Sequence, residues 1–68
     1  MTNESKILIE KYLKATGQDF KYLMSGQQAF GIEFIIDLVK KALEKKKKII
    51  WIDKFDDGIG VMNYEFHD

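Results

Sequence analysis

Apolar residues recur along this chain first at helical and then at alternating spacing. Leu8, Ile9, Tyr12, Leu13 and Thr16 fall on one helical face, while Lys6, Glu10, Lys11 and Lys14 fall elsewhere. Asn3 is placed to cap this helix, with Glu4 in its first turn, where an acid meets the positive end of the helix dipole. Gly17 supplies the stop. The spacing predicts a helix over about 4–16.

A longer helix is predicted over about 26–47. Ser25 and Gln28 stand at capping-box spacing, a hydroxyl three residues before an amide. Ile32, Ile35, Ile36, Val39 and Leu43 form the apolar stripe, which Phe30, Phe34, Leu38 and Ala42 widen. So broad an arc marks a helix surrounded by core rather than one lying on a single surface. Gly31 falls inside this helix at a cost of about 1 kcal/mol against Ala. It reads either as a tolerated local cost or as a point of close packing. Residues 18–24 are expected to be a connector that contributes aromatics to the core, or a short third strand, with one helical turn capped by Asp19 as the competing reading.

The pattern then changes to alternation. Residues 49–55 and 59–66 read as strands around Asp57-Gly58, a pair that favours the type I′ turn of a two-residue hairpin. That turn fixes the register. Ile49, Trp51, Asp53 and Phe55 oppose Phe66, Tyr64, Met62 and Gly60 on one face, which is aromatic and expected to pack on the helices. Phe55 is expected to cover the bare Gly60. Ile50, Ile52, Lys54 and Asp56 oppose Glu65, Asn63, Val61 and Ile59 on the other face. That second face keeps four β-branched aliphatics, more than a solvated face needs. The fold class is α+β: two helices packed on a C-terminal antiparallel hairpin, forming one small domain.

Size makes the uncovered aliphatics consequential. The chain has 68 residues and no cysteine, so neither a disulfide nor a thiolate metal site can supplement a small core. Such scaffolds often gain stability from a partner. No apolar run approaches the roughly 18 residues that span a bilayer, and no signal peptide is visible, so a cytoplasmic protein is expected. Lys and Ile are abundant, while Arg and Pro are absent. This bias fits AT-rich codons and suggests a low-GC bacterium or its phage.

Charge argues for no particular ligand class, because 11 basic residues balance 11 acidic ones. All the basic residues are lysine, which weakens base-specific nucleic-acid recognition, where the planar Arg fork is favoured. The run Lys45, Lys46, Lys47 and Lys48 is the one conspicuous patch. With Lys54 and nearby aromatics it would suit a single nucleic-acid strand, but lysines also belong at a helix C-terminus.

No catalytic constellation is visible. Asp53, Asp56 and Asp57 before Gly58 resemble a calcium loop, but Phe55 and Tyr64 occupy positions where oxygen ligands are required. His67 is the single histidine and lies beside the last residue. Ser5 and Ser25 stand at helix starts, where hydroxyls satisfy N–H groups. Gly26 and Gly31 lack the Gly-Lys-Ser/Thr of a phosphate loop. The expectation is a non-enzymatic protein-binding module without cofactor, metal or small-molecule substrate. It would act as a regulator or inhibitor of a host protein, encoded by a phage or mobile element. Its partner surface would be Ile50, Ile52, Lys54, Ile59 and Val61, facing another protein or a second copy of the chain. The alternative is nucleic-acid binding through Lys45 to Lys48.

Overall fold

The computed structural model describes residues 2–68, with Phe55 and Asp56 described through their backbone alone. Helix α1 spans Asn3–Thr16. Thr2, one residue earlier than the expected Asn3, is its cap, and its Oγ1 accepts the Ser5 N–H at 3.2 Å. Gly17 ends α1 at φ 73°, in the left-handed region, with its N–H bonded to the Leu13 carbonyl.

The connector is helical. Helix α2 spans Phe20–Met24, and Asp19 Oδ1 accepts the Lys21 N–H at 3.4 Å. A third strand is therefore not formed. Once Asp19 caps a helical turn, Phe20 and Tyr22 can no longer alternate across a sheet. Leu23 is the residue of this segment that enters the core, whereas Phe20 and Tyr22 remain 47% and 38% exposed. The expectation that these aromatics join the core fails at both.

The expected 26–47 helix is two helices, α3 over Gln27–Phe30 and α4 over Ile32–Lys45. Gly31 separates them at φ 84°, ψ 162°, a conformation essentially confined to glycine. It is neither a tolerated helical glycine nor a close packing point, since no atom lies within 4 Å of where its Cβ would stand. The Ser25 capping box does not form either: its hydroxyl donates back to the Tyr22 carbonyl, closing α2. The break lets each piece bury a different surface. Phe30 stacks on Phe34 and on Trp51, with ring centroids 4.8 and 5.7 Å apart. Helix α4 buries Ile35, Leu38, Val39 and Ala42.

Strands β1 (Lys48–Asp56) and β2 (Ile59–His67) form the expected antiparallel hairpin. Its register runs from Lys48 opposite His67 to Asp56 opposite Ile59, as the turn requires. Asp57 and Gly58 have φ 51° and 79°, the two positive values of a type I′ turn. Gly60 does stand opposite Phe55 in this register, but whether the ring covers it lies outside the described residues.

The helices cover the end of the expected hairpin face that carries Ile49, Trp51, Tyr64 and Phe66, whereas Asp53 and Gly60 on the same face, nearer the turn, stay exposed. Ile9, Tyr12, Leu23, Ile35, Leu38, Val39, Ala42 and Ile49 are buried together, with Trp51, Tyr64 and Phe66 packed at the margin. At about 25 cal/mol per Å² of apolar surface removed from water, this cluster supplies the main drive to fold. Its position orients the hairpin's remaining surfaces outward. Among the described residues no helix is long and apolar enough to cross a membrane.

Candidate interaction surface

The inner face of the hairpin is fixed by aromatic packing. Trp51 lies so close over Gly26 that a Cβ there would stand 2.5 Å from the indole Cζ2. The indole Nε1–H donates to the Tyr22 carbonyl at 3.1 Å. Tyr64 meets Phe30, Phe34 and Phe66 edge-on, the geometry that ring quadrupoles favour. The expectation that Trp51 and Tyr64 belong to the helix-facing side is therefore met. This packing also removes them as stacking platforms for a nucleic-acid strand.

The outer edge of β1 is closed by side chains at Ile49 and Trp51, while no side chain among the described residues meets the outward backbone of Asp53 nearer the turn. Ile49 and Trp51 point their N–H groups away from β2. The Ile49 N–H donates to the Tyr12 hydroxyl at 2.8 Å, and the Trp51 N–H donates to the Tyr22 hydroxyl at 2.9 Å. Gln18 Nε2 donates to the Ile49 carbonyl at 2.9 Å. The Tyr12 hydroxyl in turn donates to Gln18 Oε1. Burial pushes the Tyr12 phenol above its ordinary pKa of 10.0, partly opposed by the bond from the Ile49 backbone. Three side chains from α1, α2 and the segment between them thus stand where a neighbouring strand would.

The outer edge of β2 is different. Antiparallel pairing alternates inward and outward backbone groups, so Gly60, Met62, Tyr64 and Phe66, opposite Phe55, Asp53, Trp51 and Ile49, point outward. Among the described residues only the Tyr64 N–H is bonded on this edge, to the neighbouring Asn63 Oδ1 at 2.8 Å. The outer face beside it carries the residues singled out from sequence. Ile59 and Val61 are 67% and 50% exposed, Lys54 is exposed, and Ile50 and Ile52 are half-buried. Helices α1 and α2 reach the β1 edge and leave Ile59 and Val61 in solvent.

The lysine run is divided between elements. Lys45 ends α4 with its ammonium 4.8 Å from the centre of the Phe66 ring. Lys46 follows in the left-handed region at φ 56°, and Lys48 opens β1. Lys47 faces Asp68 at 3.8 Å. His67 Nε2 lies 3.0 Å from Glu65 Oε1, with both side chains more than half exposed. Among the described residues no group of three or more His, Cys, Asp or Glu could hold a metal; the Asp56 side chain lies outside them.

Sequence reasoning missed Tyr12, Gln18 and Tyr22 as edge-closing groups. A signal existed for Tyr12, because a tyrosine in an apolar helical stripe must find a partner for its hydroxyl. Comparison with protein-family models, curated proteins and solved structures gives no match to this chain.

Proposed function

We infer that this chain is a small protein-binding module that engages its partner through the outer face of the hairpin and the β2 edge. One observation carries the reading: exposed Ile59 and Val61 stand beside a strand edge whose outward backbone groups are mostly unbonded among the described residues. An unpaired edge can accept a further strand, and flanking aliphatics can select it. Ile50, Ile52 and Lys54 complete the contact surface. The partner is another protein or a second copy of the chain, and the module acts as a regulator or inhibitor. The lysine-rich, arginine-free composition supports an origin in a low-GC bacterium, its phage or a mobile element.

The test pairs light scattering with affinity capture from a low-GC bacterial host, using the wild-type chain and an Ile59→Lys/Val61→Lys double variant. The wild type should dimerise or retain a defined partner. The variant should lose that association while keeping the wild-type circular dichroism and melting curve. Equal retention by both proteins would contradict the reading, as would unfolding of the variant.

A further inference from the structure

The open β2 edge lacks the devices that keep exposed strands apart. Lysines, prolines and bulges usually blunt such an edge. None of the chain's lysines lies in β2, although β1 carries Lys48 and Lys54. The hairpin pairing runs one residue to one from end to end, so no bulge twists the edge away. The one carboxylate of β2, Glu65, lies 3.0 Å from His67.

The same edge is self-complementary. Its outward backbone groups belong to Gly60, Met62, Tyr64 and Phe66, which stand symmetrically about Asn63. An antiparallel second β2 centred on Asn63 meets every one of them. Gly60 then pairs with the partner's Phe66 and Met62 with the partner's Tyr64, each pair exchanging two backbone bonds. The Tyr64 N–H gives up its bond to Asn63 Oδ1 for the carbonyl of the partner's Met62. A register shift of two residues leaves either Phe66 or Gly60 without a counterpart inside the strand.

The side chains agree with this register on both faces. On the inner face, the core reaches Tyr64 and Phe66 but leaves Met62 half-buried and Gly60 exposed. The two-fold sets the partner's Phe66 beside bare Gly60 and the partner's Tyr64 beside Met62. The covered end of each hairpin thus adjoins the uncovered end of the other. On the outer face, Glu65 lies opposite the partner's Val61. The partner's Lys54 pairs with that valine and stands one strand further on. That places it about 10 Å from Glu65, a span the two side chains can bridge. Tyr12 and Tyr22 occupy the far edge of β1 at Ile49 and Trp51 and bar a further strand there. The assembly therefore closes at two chains.

Resting on the reading of the β2 edge as the binding surface, we propose that its occupant is a second copy of this chain. The two β2 strands pair antiparallel about a two-fold axis at Asn63, joining both hairpins into one sheet.

Cysteine cross-linking reads this register, because the chain has no cysteine of its own. Asn63 faces the partner's Asn63 in a non-hydrogen-bonded pair, with Cα atoms about 4.5 Å apart and within disulfide range. Asn63→Cys should oxidise to a covalent dimer at least about tenfold faster than Val61→Cys, whose two copies lie about 14 Å apart. Mixed Val61→Cys and Glu65→Cys chains should cross-link to each other rather than to themselves. In light scattering, the concentrated wild type should have the mass of two chains. Asn63→Lys sets like charges face to face, so it should weaken the dimer by about tenfold while keeping the wild-type circular dichroism. Equal oxidation of Asn63→Cys and Val61→Cys, or a dimer indifferent to Asn63→Lys, would overturn the proposal. A wild type that stays a single chain at every concentration would overturn it as well. If Asn63→Lys then releases a captured host protein, the β2 edge stands as the binding surface for that protein; if it releases none, that reading falls too.

Discussion

The two edges of the hairpin belong to one sheet and are treated in opposite ways. On β1, the backbone groups of Ile49 and Trp51 are met by Tyr12, Gln18 and Tyr22. On β2, a single short-range bond, donated by the Tyr64 N–H to Asn63 Oδ1, is the described counterpart. At Ile49 the β1 edge lies in the core, where an unbonded N–H costs its full desolvation, while the Trp51 bond to Tyr22 lies nearer the surface. The β2 edge faces water, which satisfies backbone groups at little cost. The contrast teaches that the closed stretch of β1, at Ile49 and Trp51, holds the fold together and the open β2 edge is available for something else.

The sharpest way to break this comparison is at Gly26. Trp51 is held on both sides, by stacking on Phe30 and by its bond to the Tyr22 carbonyl. A Gly26→Val side chain would collide with the indole and displace the hairpin from α3. A loss of about 3 kcal/mol is expected in urea denaturation, at the upper end of overpacking costs. A near-neutral result would mean that the hairpin is held elsewhere.

Tyr12→Phe probes the closed edge directly. It keeps the ring but leaves the buried Ile49 N–H without its acceptor. About 2 kcal/mol should be lost in the same measurement. The variant also carries a pH signature. The folded chain holds the Tyr12 proton to higher pH than the unfolded chain, because burial raises the phenol's pKa. The resulting stability is complete below pH 10.0 and is lost as pH rises through the higher folded value. Tyr12→Phe should flatten that alkaline decline, as read from melting curves between neutral and strongly alkaline pH.

The smallest effect is expected on the open side. Ile59→Lys changes a residue that is two-thirds exposed, so stability should move by less than about 0.5 kcal/mol. A larger loss would show that the outer face is part of the core.

These contrasts also separate what the sequence revealed from what it concealed. The hairpin was legible down to its register because Asp57-Gly58 selects one turn type and alternation of period two fixes the faces. The helix break at Gly31 was hidden, since an apolar stripe continuing on both sides looks the same with or without one left-handed residue. The Ser25 capping box failed because its hydroxyl had a competing acceptor one turn back, in Tyr22. Of the candidate surface, the composition of the outer face was legible from alternation alone. The closed β1 edge was not, because the bond from Ile49 to Tyr12 joins residues 37 positions apart. No local spacing encodes that contact.

Residue-resolved amide hydrogen exchange tests the central claim most directly, at a concentration where light scattering gives the mass of a single chain. The buried Ile49 amide should exchange only through opening of the fold, while those of Gly60, Met62 and Phe66 exchange orders of magnitude faster. Protection of the Gly60 and Met62 amides equal to that of Ile49 would contradict the open edge and the binding role built on it.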